Sequence, residues 1–219
     1  LKDALALVFL GALAAMLISS TVGTTLLVPT GVVSLDRVLP TWLTWWTGDA
    51  MGVLVVAPLL LTMVKLPWRR YRYVDPARLA EFVMLLVATF GLMLLTERSL
   101  GVVFVAFPLL VWAAWRFQLP GAAPVGLIAS ALAIHAAVVG YGVFAGKNQS
   151  DTMTILQLFN GSIALTGLLL SVAVTERIRM QAELERACGQ LGDVIEHIDR
   201  AMRPGEPSHL REWAERHTR

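Results

Sequence analysis

Among 219 residues there is one cysteine, Cys188. No intrachain disulfide is possible, and a thiol-built zinc cluster is excluded. Charge is scarce too: 16% of residues are Asp, Glu, Lys or Arg, against roughly 25% in a soluble domain. The scarcity is local. Residues 176–219 hold 8 of the 18 bases and 9 of the 16 acids, which leaves 10 bases and 7 acids for the first 175 residues. A net charge of +2 offers no broad basic face, so nucleic acid is not an expected partner. The sequence lacks a phosphate-binding glycine loop, a nucleophile elbow, an HExxH pair and a kinase signature, so neither catalytic residues nor enzyme activity are expected. His135 is the sole histidine of the apolar region, too few ligands for zinc or a bis-histidine haem. No metal or cofactor is expected.

What the chain has is apolar length: 56% of its residues are hydrophobic, which excludes disorder for most of it. A bilayer core of about 30 Å needs about 20 apolar helical residues. Six stretches meet or approach this, near residues 4–28, 41–64, 79–96, 101–117, 122–144 and 153–175. The first could pass for a signal peptide, but it runs on to Val28 without a clear cleavage site. The third and fourth are joined through Thr96-Glu97-Arg98-Ser99-Leu100 and read as a helical hairpin. Backbone in lipid must pair internally, and runs of this length exclude barrel strands. The expected fold is an all-α polytopic membrane bundle of about six transmembrane helices over residues 1–175. A cytoplasmic linker helix and tail follow over 176–219.

The bases set the expected topology. Lys65, Arg69, Arg70, Arg72 and Arg78 crowd the loop after the second span, and Lys2, Arg116, Arg177 and Arg179 fall on the same side if spans alternate. The other side has Arg37, Arg98 and Lys147. Positive charge marks the cytoplasmic face, so a multi-pass inner-membrane protein with both termini cytoplasmic is expected. Trp42, Trp45 and Trp46 sit at the outer start of the second span, with Trp68, Tyr71 and Tyr73 at its inner end and Trp112 and Trp115 near the inner end of the fourth, as in interfacial aromatic belts.

Beyond Thr175, Met180, Leu184, Ala187, Leu191, Val194, Ile198 and Ala201 alternate at spacings of four and three. This is a heptad seam, flanked by Glu183, Glu185, Arg186, Glu196 and Arg200 and weakened by Gly189 and Gly192. A homodimer through 177–202 is the partner this seam suits. Pro204 and Pro207 should end the helix, and Ser208 should cap a short last turn carrying Leu210 and Trp213.

Few polar residues lie at membrane depth. Asp49, about 12 Å inside the second span, should face the bundle interior, paired or protonated, because a carboxylate there costs about 2.5–3.5 kcal/mol. It reads as a ligand, ion or proton site, or as a carboxylate bonded to a neighbouring helix. Gly48 and Gly52 flank it and suit close approach of a second backbone, and Pro58 suits a bend. Pro108 is grouped with these as a packing or kink position in the fourth span. His135, read as mid-span in the fifth, is either a hydrogen-bonded core residue or a proton-linked one. Gln157 and Asn160, with Ser162, lie in the outer half of the sixth span. Together with Ser19, Ser20, Thr21, Thr24 and Thr25 they either line an outer polar cavity or make helix-to-helix contacts of about 0.6 kcal/mol each. Glu81, near the inner interface, should pair with Arg116 or Arg78.

Trp45-Trp46-Thr47-Gly48-Asp49-Ala50-Met51-Gly52, followed by Pro58, resembles the signature of the membrane-associated sensor family, MASE type one. The stretch from Pro108 through Trp112-Ala113-Ala114-Trp115-Arg116-Phe117 to Gly121-Ala122-Ala123 is similar to the same family, and so is Leu156-Gln157-Leu158-Phe159 with the exit Thr175-Glu176-Arg177. The three occur in the family's order across residues 45–177. The resemblance implies a sensory domain of the bacterial inner membrane. Such a domain usually precedes a histidine kinase, diguanylate cyclase, phosphodiesterase or phosphatase. It also implies about eight spans where six are counted, so with a first residue other than Met the earliest spans are expected to lie outside this sequence. Asp49, Trp45, Trp46, Gly48, Gly52, His135, Gln157 and Asn160 are the candidate sensing residues. The expected partners are the bilayer and a cytoplasmic output domain or protein. The alternatives are a small transporter or channel using Asp49 and His135, which needs a water path and discontinuous helices at the midplane, and a structural anchor for the tail.

Overall fold

A computed structural model describes residues 6–65, 75–99 and 103–202. Among the described residues there are six long helices and no strand. They are α1 (Leu7–Leu27), α2 (Val38–Lys65), α3 (Pro76–Ser99), α4 (Ala106–Phe117), α5 (Leu119–Val139) and α6 (Gln149–Met202). Their contacts divide the chain into two units, Leu1–Val174 and Thr175–Arg219.

Local sequence accounts for the boundaries. Pro29 follows the last turn of α1, and Gly31, at φ +73°, turns the chain there. Asp75 caps α3: its Oδ1 accepts the Ala77 N–H at 3.1 Å, with Pro76 in the first helical position. Asn148 caps α6 by accepting the Asp151 N–H at 2.8 Å. α5 ends on Gly140, which is left-handed, and the Gly140 and Tyr141 N–H groups both bond to the Ala136 carbonyl. Between α4 and α5 the single residue Gln118 takes φ +55° and ψ −144°, a region normally left to glycine and costing about 1–3 kcal/mol. That turn reverses the chain within one residue and sets α4 directly against α5.

Two spans differ from the sequence expectation. Thr96 to Ser99 continue α3 as helix, because none of them breaks a helix and Glu and Arg favour one. The fourth span is shorter than expected. Its α-helix has 12 residues, about 18 Å, after a 3-10 turn at Val103–Val105. Among the described residues five helices are long and apolar enough to cross a bilayer, and α4 is a shorter apolar helix. Pro108 lies in the first turn of α4, where backbone N–H groups have no intrahelical acceptor. It starts that helix and does not kink it.

The main core gathers around α5. Its inward stripe is small: Ala122, Val125, Ala129 and Ala133 pack against Leu85 of α3, Leu110 of α4 and Ile163 of α6. A second cluster joins Val8 and Ala12 of α1 to Ala50 and Leu54 of α2 and Leu168 of α6. The outer surface is apolar, with Leu10, Ile18, Leu26, Val64, Val87 and Val138 exposed, as suits a bundle whose solvent is lipid.

In the second unit α6 continues to Met202, two residues before Pro204. Along it Met180, Leu184, Leu191, Val194 and Ile198 are exposed. The expected cap and last turn at Ser208, Leu210 and Trp213 lie outside the described residues, as do Arg69, Arg70, Arg72, Trp68, Tyr71 and Tyr73 of the basic loop.

Candidate functional site

Several polar side chains of α1 and α2 meet along the seam between these two helices. α1 opens with a π-helical stretch, Leu7–Ala14, in which the Ala15 N–H reaches back five residues to the Leu10 carbonyl. Such stretches are rare and frequent at functional sites. At its end the Leu13 carbonyl accepts the Trp46 indole N–H at 2.8 Å. One turn earlier in α2, the Trp42 indole N–H donates to Thr21 Oγ1 at 3.0 Å. The two indoles stack with centroids 5.7 Å apart. Thr21 is free to accept because its own hydroxyl proton goes to the Leu17 carbonyl. Trp45 lies against Gly23, where a Cβ would fall inside the indole ring. Gly23 is thus required by the packing, and no motif or periodicity marks it beforehand.

Asp49 belongs to this seam. Its Oδ2 accepts the Ser19 hydroxyl at 3.1 Å. Its side chain does not point into the bundle as expected. Ala50, Leu54 and Pro58 form the buried stripe of α2, and one residue turns about 100° around a helix. Asp49 therefore sits on the outward side with Gly48, Gly52, Val56 and Leu60, all exposed. Gly48 and Gly52 likewise do not receive a neighbouring backbone: a Cβ at either would meet nothing within 4 Å. Close approach occurs instead at Gly161, where a Cβ would lie 2.8 Å from the Met51 sulfur, and at Gly121, where it would collide with Phe117 and the Ala113 carbonyl. The open ground beside Asp49 is a groove of about 470 Å³, bounded by Met16, Gly48, Gly52, Val53, Val56 and Leu60.

The hydroxyls of α1 do not form one outer polar cavity. Ser20, Thr21 and Thr25 each donate to the carbonyl four residues back, the usual intrahelical alternative for such side chains. Gln157 reaches α2 and donates its Nε2–H to the Thr44 carbonyl at 3.3 Å. Asn160 is buried beside it in sequence and its Oδ1 is without a hydrogen-bond partner, while Ser162 is exposed. His135 lies inside the candidate span Leu119–Phe144, four residues before Val139, the last residue of α5, and is exposed. The helical register of α5 places it next to, not on, the Ala129–Ala133–Ala136 stripe, and it is not among the residues bounding the Asp49 groove.

At the other end of the bundle Glu81 takes Arg116, with Arg116 Nε 3.0 and 2.9 Å from the two carboxylate oxygens. The Trp112 indole also donates to Glu81, at 3.4 Å. Arg78 donates to the Arg116 carbonyl instead, and both guanidinium groups stand about 6 Å from the Phe117 ring. Arg116 is half-exposed, so this pair orients α3 against α4 more than it stabilises them. Among the described residues no group of three or more metal-ligating side chains is close enough to hold an ion.

The arrangement offers a hydrogen-bonded aromatic seam with a carboxylate on its open side. No curated protein and no solved structure matches the chain. The family model MASE1, a membrane-associated sensory domain of signalling proteins, matches residues 1–178, and the chain belongs to that family.

Proposed function

We propose that this chain is the membrane input part of a bacterial inner-membrane signalling protein, with both termini cytoplasmic. The α1–α2 seam around Asp49 receives the stimulus, and α6 carries the resulting change to a cytoplasmic output domain or protein. The chain contributes input and no catalytic step of its own.

One observation carries this reading. A single uninterrupted helix, Gln149–Met202, holds both Gln157, bonded to the Thr44 carbonyl of α2, and the exposed heptad positions from Met180 to Ile198. A shift of α2 near Thr44 would therefore reach α6 through that hydrogen bond and continue along one unbroken helix towards the tail. Transmission requires two states that the stimulus stabilises unequally. The seam pairs a second copy in parallel, since both copies are anchored in the same sense, and leaves Gly189 and Gly192 off its a and d positions.

Insertions after Arg186 test this in a fusion to a diguanylate cyclase catalytic domain, with cyclic dinucleotide as the readout. Seven added residues keep the seam in phase and should preserve output. Three or four added residues rotate it and should change basal output at least threefold. Equal output from all insertions at equal expression would sink transmission through α6. Cys188 also tests the topology, since it should react with a membrane-impermeant maleimide only when the cytoplasmic face is open.

A further inference from the structure

Two polar side chains inside the bundle are buried without a partner. Ser130 of α5 is 2% exposed and Asn160 of α6 is 8% exposed, and neither Ser130 Oγ nor Asn160 Oδ1 has a hydrogen bond. Buried polar groups are nearly always satisfied, so each exception calls for a partner. Ser130 also departs from its class. Thr44, Thr47, Thr89 and Thr154 each donate to the carbonyl four residues back, the usual resort of a hydroxyl in a helix. Ser130 does not use the equivalent Gly126 carbonyl, which leaves its hydroxyl for something outside its own helix.

The register of α5 and α6 brings the pair to one depth. A Cβ on Gly126 would lie 3.4 Å from Ile163 Cγ2, and one on Gly167 would lie 3.7 Å from Ala122 Cβ, so the two helices face each other running in opposite directions. Ser130 lies four residues beyond Gly126, about 6 Å along the axis, and Asn160 lies three residues before Ile163, about 4.5 Å the same way. Both also turn from that contact toward α2. Ser130 shares its side of α5 with Leu119, and Asn160 shares its side of α6 with Ala164, and both of these apolar residues pack on the cluster that holds Ala50 and Leu54. The packing is incomplete close by. A void of about 20 Å³ is bounded by Leu54 and Pro58 of α2, Gly126 of α5, and Ile163, Ala164 and Gly167 of α6, which is room for about one water. It adjoins the pair through Gly126 and Ile163. None of the residues bounding it is charged, so a buried cation would have no compensating charge there.

We propose that Ser130 and Asn160 hold an ordered water between α5 and α6. The water donates one hydrogen bond to Asn160 Oδ1 and accepts one from the Ser130 hydroxyl, so both buried groups are satisfied. α6 is then tied to its neighbours in two ways within one turn. Gln157 reaches α2 directly, at the Thr44 carbonyl, and Asn160 reaches α5 through water. Occupancy of this site does not depend on the signalling role proposed above.

Asparagine labelling isolates the site, because the chain has two asparagines, Asn148 and Asn160. The purified full chain, isotope-labelled in its asparagine side chains, is reconstituted in lipid nanodiscs. Magnetisation transfer from water to each side-chain amide is then measured by solid-state NMR. Asn148→Asp keeps a helix-capping side chain and leaves the Asn160 signal alone. Asn160 should receive magnetisation from water even though it is buried at membrane depth. Ser130→Val removes the hydroxyl and fills the space, and should slow that transfer at least tenfold. Ser130→Ala removes the hydroxyl with less change of shape and should slow it at least threefold, so it keeps the test valid if Ser130→Val fails to fold. Absence of transfer to Asn160, or an equal rate in Ser130→Ala and the unaltered chain, would overturn the proposal. So would a shift of the Asn160 resonance when sodium and potassium salts are replaced by choline chloride, which would put a cation in the site.

Discussion

The two sides of the bundle are held together by different means. In α5 and α6, 44% and 39% of the most apolar stretch is buried, against 22% in α1 and 17% in α2. α5 is packed by small residues fitted against Leu110 and Ile163, with few polar groups to place. α1 and α2 bury less, and are joined by three specific hydrogen bonds, Trp46 to Leu13, Trp42 to Thr21 and Ser19 to Asp49. Lipid is as apolar as leucine, so burial alone drives little association between membrane helices, and packing shape or hydrogen bonds must do it. The first side uses shape and the second uses bonds. A contact made by a few directional bonds has discrete alternatives, which is what an input site needs. A jigsaw of alanines has none close in energy.

Substitutions should separate the two sides by size of effect. The largest is expected in the fitted half. Gly121→Leu would drive a side chain into Phe117 and the Ala113 carbonyl, and should lower stability by about 3 kcal/mol, read as a fall in the denaturant midpoint of the purified protein. In the same half, Gln118→Gly relieves a positive φ and should raise stability by about 1 kcal/mol in the same titration. On the bonded side, Trp46→Phe keeps most of the ring and removes only the donor to Leu13. It should cost about 1 kcal/mol and increase hydrogen exchange in Leu7–Ala14 while leaving α5 unchanged. Smallest of all, Ser130→Ala removes a buried hydroxyl that has no hydrogen-bond partner, and should change stability by no more than about 0.5 kcal/mol. If Trp46→Phe loosened α5 as much as α1, the distinction between the halves would fail.

The same contrast explains what could be read from the sequence. Span positions and the bundle architecture follow from hydropathy, because only long apolar helices satisfy their backbone in lipid. The Glu81–Arg116 pair was also legible, since both lie near one interface and carry opposite charge. The face on which Asp49 sits was not. In a membrane both faces of α2 are apolar, so the stripe Ala50–Leu54–Pro58 has no hydropathy signature to distinguish it from Gly52–Val56–Leu60. Glycines had the same ambiguity: Gly48 and Gly52 look like a close-packing pair, yet a Cβ there meets nothing, whereas at Gly23, Gly121 and Gly161 it would come within 3 Å of a neighbour. The π-helical start of α1 has no breaker or cap to announce it.

The proposed signalling role requires that the seam at Asp49 and the part of α6 beyond Thr175 be energetically linked. Cys188 reports on this directly, being the sole cysteine and exposed. It flanks the seam, one residue after Ala187. Its cross-linking rate with a short bismaleimide should be measured in native membranes for the unaltered chain and for Gly52→Leu. A change of at least threefold, at equal protein level, is the expected result. Identical rates in the two proteins would contradict the link.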